Sequence, residues 1–256
     1  SPERILLHLS EKAQIIGISA TATLDTVIGN YDLEYLQRML QDKFYVMPEV
    51  DKCRLQESFR TFVINYDKVN IHVEPVCYST DDTAELAEIF NGNEALIKKY
   101  AEKLSISFER VEYAKNNFIR VVKVMKAFIL NDSVKSFLCL NNKLPQENKG
   151  LFDIKLLEEF ADAIIKLYGI KGLKGKDLLY SINSEDYDAK RAEFIQRLSK
   201  GEKLFVISSY NTVGAGQNLQ YKAPGNATIV AVNDYDRGDM EKDFDCIYLE
   251  KPTNLL

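Results

Sequence analysis

A chain of 256 residues, 46% of them hydrophobic, can bury a substantial core and is long enough for one large or two small domains. Its net charge of −5 is not the electrostatic footprint of a tight, isolated nucleic-acid binder; no run approaches the ~18 consecutive apolar residues of a membrane span, and no charged start followed by an apolar block marks secretion. Cys53, Cys77, Cys139 and Cys246 are scattered without a C-x-x-C pair and only His8 and His72 could assist in holding a metal, which argues against a zinc site or a disulfide framework and for reduced thiols in an intracellular, cytoplasmic protein.

In chain order, Ala13 to Ala20 reads as a strand and Asp32 to Gln41 as a short amphipathic helix with Leu33, Leu36 and Leu40 on one side. Thr61 to Tyr66 and Asn70 to Val76 flank Asp67-Lys68-Val69, a spacing and composition that predict a β-hairpin, with Pro75 near its end. Two helices are expected over Asp82 to Leu104 and Phe108 to Leu130, separated by Ser105-Ile-Ser107. The second places Phe108, Val111, Phe118, Val122, Met125 and Ile129 at helical spacing, a stripe that reads as packing surface rather than as catalytic residues.

From Ser133 the pattern changes to alternating strands and helices. Strands are expected at Lys135 to Leu140, Asp177 to Ile182, Lys203 to Ser208, Ala227 to Val232 and Asp245 to Leu249, with helices at Phe152 to Tyr168 and Asp186 to Ser199. Short apolar strands alternating with helices predict a parallel three-layer α/β sheet. Ser184 is placed to cap the last helix, Glu185 and Asp186 suit its positive end, and Gly201 follows its close, while Tyr187, Phe194, Ile195 and Leu198 supply its buried face. Three regions follow: 1–50, an accessory segment 51–132 with hairpin and helices, and an α/β domain 133–256.

The segment Lys203 to Gln220 is the most informative. Leu204 to Ile207 has no polar alternation, as suits a strand buried on both faces of a parallel sheet, and it runs into a polar turn in which Gly214 and Gly216 permit positive φ and close approach by a phosphate or another backbone. Lys166, Lys171, Lys174 and Lys176 form a basic segment that reads as a solvated loop beside a helix end and could also face a phosphate backbone. Gly172-Leu-Lys-Gly-Lys-Asp177 lacks the spacing, the preceding apolar strand and the Ser/Thr of a P-loop.

The run Ser209-Tyr-Asn-Thr-Val-Gly-Ala-Gly-Gln-Asn-Leu219 resembles the fifth motif of superfamily-two helicases and translocases, the DEAD/DEAH-like ATPases, and Ile15-Ile-Gly-Ile-Ser-Ala-Thr-Ala-Thr23 resembles their third motif. Ser136-Phe-Leu-Cys-Leu-Asn-Asn142 stands where the fourth motif's strand belongs. The resemblance implies a RecA-like three-layer parallel sheet with a helical and β-hairpin insertion, the chain running from the last strand of the first lobe through the second lobe. It also implies that the Walker loop and the acidic pair that hold ATP and Mg²⁺ belong to an upstream lobe, so that the chain alone is expected to be inactive and to bind no cofactor tightly. Ser19, Ala20 and Thr21 would then couple nucleotide state to lobe closure, Ser209 and Thr212 would offer hydroxyls to a phosphate of DNA or RNA, and Gly214, Gly216, Gln217 and Asn218 would face the nucleotide or the neighbouring lobe.

The chain departs from that pattern at Tyr210 and Asn211, which replace the usual Thr-Arg pair, and at the sixth motif, for whose arginine finger Arg237, amid acidic neighbours, is the one substitute. Two other readings stay open. A Rossmann-type small-molecule enzyme would use Gly214-Ala-Gly216, although Leu219 stands where its third glycine belongs. A catalytically inert interaction module would recruit a partner through the 51–132 segment.

Overall fold

A computed structural model describes residues 2–17, 32–62, 65–79, 81–109, 111–144, 152–213, 219–225, 227, 229–232 and 241–251. They divide between two compact units, one built from Ser1–Tyr66 together with Ala231 and Val232, the other from Asp67–Val230 together with 241–251.

In the first unit, α1 (Pro2–Ser10) is closed by Lys12 and Ala13, whose N–H groups both donate back to the Leu9 carbonyl at 3.0 Å. The strand expected over 13–20 is therefore not found in its described part, 13–17: the chain leaves the helix through a turn, and Ile16 is 79% exposed with no sheet to cover it. Helix α2 (Leu33–Leu40) forms as expected, capped by Asp32, whose carboxylate accepts the Tyr35 N–H at 2.8 Å. Helix α3 (Glu49–Phe62) follows, its first free N–H groups at Asp51 and Lys52 bonding the Pro48 carbonyl.

The β-hairpin expected at 61–76 is overturned. Thr61 and Phe62 prolong α3, Tyr66–Lys68 is a 3₁₀ turn, and 69–79 has no ladder partner among the described residues, with Ile71 and Val73 more than 80% exposed. Alternation of apolar residues showed extended backbone there but carried no information on whether a second strand would pair with it.

In the second unit the helix expected over 82–104 is two helices, α4 (Asp82–Ile89) and α5 (Glu94–Ser107). Asn91 and Gly92 both take positive φ, the Gly92 N–H returns to the Ala87 carbonyl at 2.9 Å, and Asn93 caps α5 through the Leu96 N–H. Ser105 to Ser107 is the last turn of α5 rather than a linker, and α6 (Glu112–Leu130) starts after a turn closed by Val111 N–H on the Phe108 carbonyl.

Four strands form one parallel sheet in the order β2 (Leu179–Ser181), β3 (Leu204–Ser209), β1 (Ser136–Asn141), β6 (Cys246–Leu249). Phe137 pairs with Phe205 and with Cys246 across the two central ladders. Helix α7 (Ile154–Leu167) joins β1 to a short turn of helix, α8 (Gly175–Leu178), and then to β2, while α9 (Tyr187–Ser199) joins β2 to β3. Alternate residues of β1 and β3 face opposite layers: Phe137, Cys139, Phe205 and Ile207 pack with α4 to α7, and Leu138, Leu140, Leu204 and Val206 pack with Phe194 and Leu198 of α9. Helices α4 to α6 thus share one core with the sheet, joined through Phe128, whose ring lies 5.6 Å from Phe137 and 5.7 Å from Phe205.

Two smaller expectations also change. Asn183 rather than Ser184 organises the start of α9, its side-chain oxygen accepting the Glu185 and Asp186 N–H groups. The described residues at 227 and 229–232 form no strand; Ala227 N–H closes a turn on Pro224. A two-stranded antiparallel ribbon, β4 (Tyr221–Lys222) with β5 (Glu241–Lys242), completes the unit.

Candidate functional site

Adjacent strands β1 and β3 send their chains to opposite sides of the sheet. After β1 the chain continues to α7 on one face, and after β3 it continues to Val213, Leu219 and Tyr221 on the other. In an open parallel sheet this reversal opens a crevice at the carboxyl ends of the two strands, the place such sheets use for ligands. Asn141 ends β1 and Ser209 ends β3, paired in register.

Ser209 is the pivot of the turn that follows. Its carbonyl accepts the N–H groups of Thr212 and Val213 at 3.0 Å, its hydroxyl accepts the Thr212 N–H at 3.2 Å, and the two hydroxyl oxygens lie 2.9 Å apart. One side chain therefore satisfies the turn's backbone, and of the pair's two hydroxyl protons one is spent between them and one is left. Gly214, Gly216, Gln217 and Asn218 lie outside the described residues, as do Ser19, Ala20, Thr21 and Arg237. The residues that bracket the glycine segment, Val213 and Leu219, both pack in the core on the α9 face.

A buried network that sequence reasoning missed lies behind this turn. Tyr210 donates its N–H to the Asn141 carbonyl at 3.3 Å and its hydroxyl to the Glu250 carbonyl at 2.6 Å, so it clasps β3 to β1 and to the chain after β6. Glu250 is 1% exposed; Arg120 on α6 binds its carboxylate at 2.8 Å, and the Tyr248 hydroxyl donates to the same group. Burial alone would lower the Arg120 pKa, but the hydrogen bond and negative charge of Glu250 outweigh it and hold the guanidinium more firmly protonated. Burial, with the Glu250 charge added, raises the pKa of Tyr210 and of the fully buried Cys139, so neither is a nucleophile at neutral pH. The one sequence signal for this network was an acid directly following an apolar strand.

Asn141 is wholly buried. Its amide nitrogen donates to Cys139 Sγ at 3.6 Å, and its side-chain oxygen has no partner. Among the described residues no group of three or more His, Cys, Asp or Glu side chains is placed to hold a metal ion, and no helix is long and apolar enough to cross a membrane. The Ser209–Thr212 pair can offer one hydroxyl donor to a phosphate-bearing ligand, whereas the Asn141 amide is enclosed in the protein. Compared with known proteins, the chain matches no family model and no curated relative.

Proposed function

We propose that the chain is the C-terminal part of an ATP-dependent nucleic-acid helicase or translocase, its parallel sheet serving as the second RecA-like lobe. The observation that carries the reading is the Ser209–Thr212 hydroxyl pair at the carboxyl end of β3, where adjacent strands diverge and directly before the Gly-x-Gly-x-Asn-Leu run. Ser209 and Thr212 bind a phosphate of DNA or RNA. The 214–218 segment faces the nucleotide or the upstream RecA-like lobe, and Ser19, Ala20 and Thr21 couple closure of the two lobes to nucleotide state. ATP and Mg²⁺ would be held by that upstream lobe in the parent protein, where the metal ion would supply positive charge to the phosphates, and this chain positions the nucleic acid.

The test is photo-cross-linking of an iodouracil-labelled oligonucleotide to the chain joined to its ATP-binding lobe. Cross-links mapping to 209–219 are expected, and their absence there, with binding intact, would instead favour the inert interaction module. ATP turnover by the chain alone, with or without single-stranded DNA, is expected to be absent. Robust turnover would contradict the division of labour.

A further inference from the structure

We infer that the helical layer carries a second nucleic-acid contact, a lysine track over the α5–α7 groove that takes the phosphodiester backbone independently of the Ser209 turn. Helices α5 and α7 enclose an open groove of about 790 Å³, its floor formed by Leu96, Tyr100 and Leu167 and its walls by Lys99, Lys103 and Lys166.

The two acids in the groove are already engaged. Glu159 pairs with Lys103, and Asp162 accepts the Gly175 N–H at 2.7 Å, which docks the Gly172–Lys176 loop against α7. Gly175 fits there because a Cβ would stand 2.5 Å from the Glu158 carbonyl oxygen, so the backbone approaches α7 as closely as a glycine allows. The docking holds the loop that carries Lys174 and Lys176 against α7, on which Lys166 stands one turn after Asp162. Lys99, Lys166, Lys171, Lys174 and Lys176 are all exposed, and among the described residues none of them forms an ion pair.

Ammonium groups without an ion-pair partner gain most from a ligand of opposite charge, although Lys99 also lies over the Tyr100 ring at 5.2 Å. These lysines lie on α5, on α7 and on the loop docked against α7, so a polyanion with several phosphates can meet more of them than a single small anion can. Lysine serves as a point charge toward phosphate, and the Tyr100 ring is buried, with its hydroxyl spent on the Glu159 carbonyl, so no base stacks there. The contact is to the backbone and carries no sequence preference. Because the chain as a whole is negative, the binding is weak and salt-sensitive, on the order of 10⁻⁵ M.

The experiment is fluorescence anisotropy of labelled dT20 and rU20 with the chain as it stands, titrated between low and moderate salt. Both oligonucleotides should bind within about threefold of each other. A slope of log K on log salt near −3 is expected, roughly −0.7 for each of about four phosphates. The Lys99→Glu/Lys166→Glu/Lys174→Glu variant should bind at least tenfold more weakly, with a flatter slope and an unchanged circular-dichroism spectrum, since all three side chains are exposed.

Ser209→Ala/Thr212→Ala separates this site from the one proposed above: it should remove only the part of the binding that the lysine variant leaves, so that the two losses add. If that variant loses binding and the lysine variant keeps it, the track is not a site and the Ser209 reading stands. Absence of binding at low salt, or wild-type binding by the lysine variant, overturns the inference. So does displacement of the oligonucleotide by polyglutamate of equal charge at equal concentration, which would make the groove a surface for acidic proteins.

Discussion

Arg120 and Glu250 lie 130 positions apart in the chain and 2.8 Å apart in space, joining α6 to the residue after β6 at the carboxyl edge of the sheet. Glu250 also donates its N–H to the Leu140 carbonyl and accepts the Tyr210 hydroxyl at its own carbonyl. A single buried residue thus ties one helix and the ends of three strands, beside the turn to which a phosphate contact is assigned.

Breaking that ion pair from one side should be expensive. Arg120→Met leaves a buried carboxylate with the Tyr248 hydroxyl as its remaining side-chain donor, a change that costs about 3 kcal/mol, the low end for buried pairs because Arg120 retains some solvent access. Removing both charges in Arg120→Met/Glu250→Leu should recover more than half of the loss, because no charge is then left stranded. Urea unfolding of both variants measures the difference; a double variant no more stable than the single one would show that the pair is not where the cost arises.

Much of this arrangement was readable from sequence, and the part that was not has a common cause. The runs 137–140, 204–207 and 246–249 are apolar throughout and short, as suits strands of a parallel sheet, so the α/β class and the placement of Ser209 at a strand end followed from local pattern. The failures arose where a partner had to be supplied from elsewhere. Ile71 and Val73 alternate like a strand but have no neighbour to pair with, and the stripe on α6 announced packing without saying that the sheet was its partner. Asn183 and Ser184 are adjacent and both able to cap, and backbone geometry alone decides between them. Glu250 could not be found at all, because its partners Arg120 and Tyr210 are set by topology rather than by proximity in the chain.

Asp245 gives the fold an acid-sensitive anchor. Its carboxylate accepts the N–H groups of Lys135 and Ser136 at 2.9 and 3.0 Å and pairs with Lys242, fastening the start of β1. Burial pushes its pKa up, but the Lys242 hydrogen bond and the two backbone donors outweigh burial and leave it below the usual carboxylate value. A folded-state pKa depressed below the unfolded value of about 3.9 contributes stability that is complete above that pH and is lost as the pH falls through the folded pKa. Asp245→Asn should therefore cost about 2 kcal/mol at pH 7, as expected for hydrogen bonds to a charged group, and the gap from wild type should narrow below about pH 4. Denaturant midpoints at pH 7 and pH 3 test this, and a gap that is constant with pH would refute it.

Gly175→Ala tests the close approach of the basic loop to α7. The new Cβ would meet the Glu158 carbonyl oxygen at 2.5 Å and Ala161 Cβ at 3.1 Å, and the first of these is backbone that cannot swing aside. Overpacking of this kind costs about 1–3 kcal/mol. That corresponds to a fall in Tm of roughly 2–4 °C for each kcal/mol in a unit of this size. The same variant should weaken the oligonucleotide binding assigned to the lysine track, since Lys174 and Lys176 would be displaced from α7 along with the loop.

Phe160 reports on whether the helices ahead of β1 and the sheet unfold together. Its ring on α7 lies 5.7 Å from Phe90 of the α4 C-cap, 4.3 Å from Tyr100 of α5 and 5.5 Å from Phe118 of α6, and all four side chains are almost wholly buried. Phe160→Ala removes the common neighbour of three helices and should cost about 3–5 kcal/mol, the range for a large-to-small change that leaves a cavity. Because α6 reaches the sheet through Phe128, the loss should lower one shared transition, seen at the same midpoint by far-ultraviolet circular dichroism and by a probe on β3. Two separated transitions, with the β3 probe unmoved, would mean that the helical layer folds apart from the sheet. In that event the Arg120–Glu250 pair could not couple them, and Arg120→Met would leave the sheet's own midpoint unchanged.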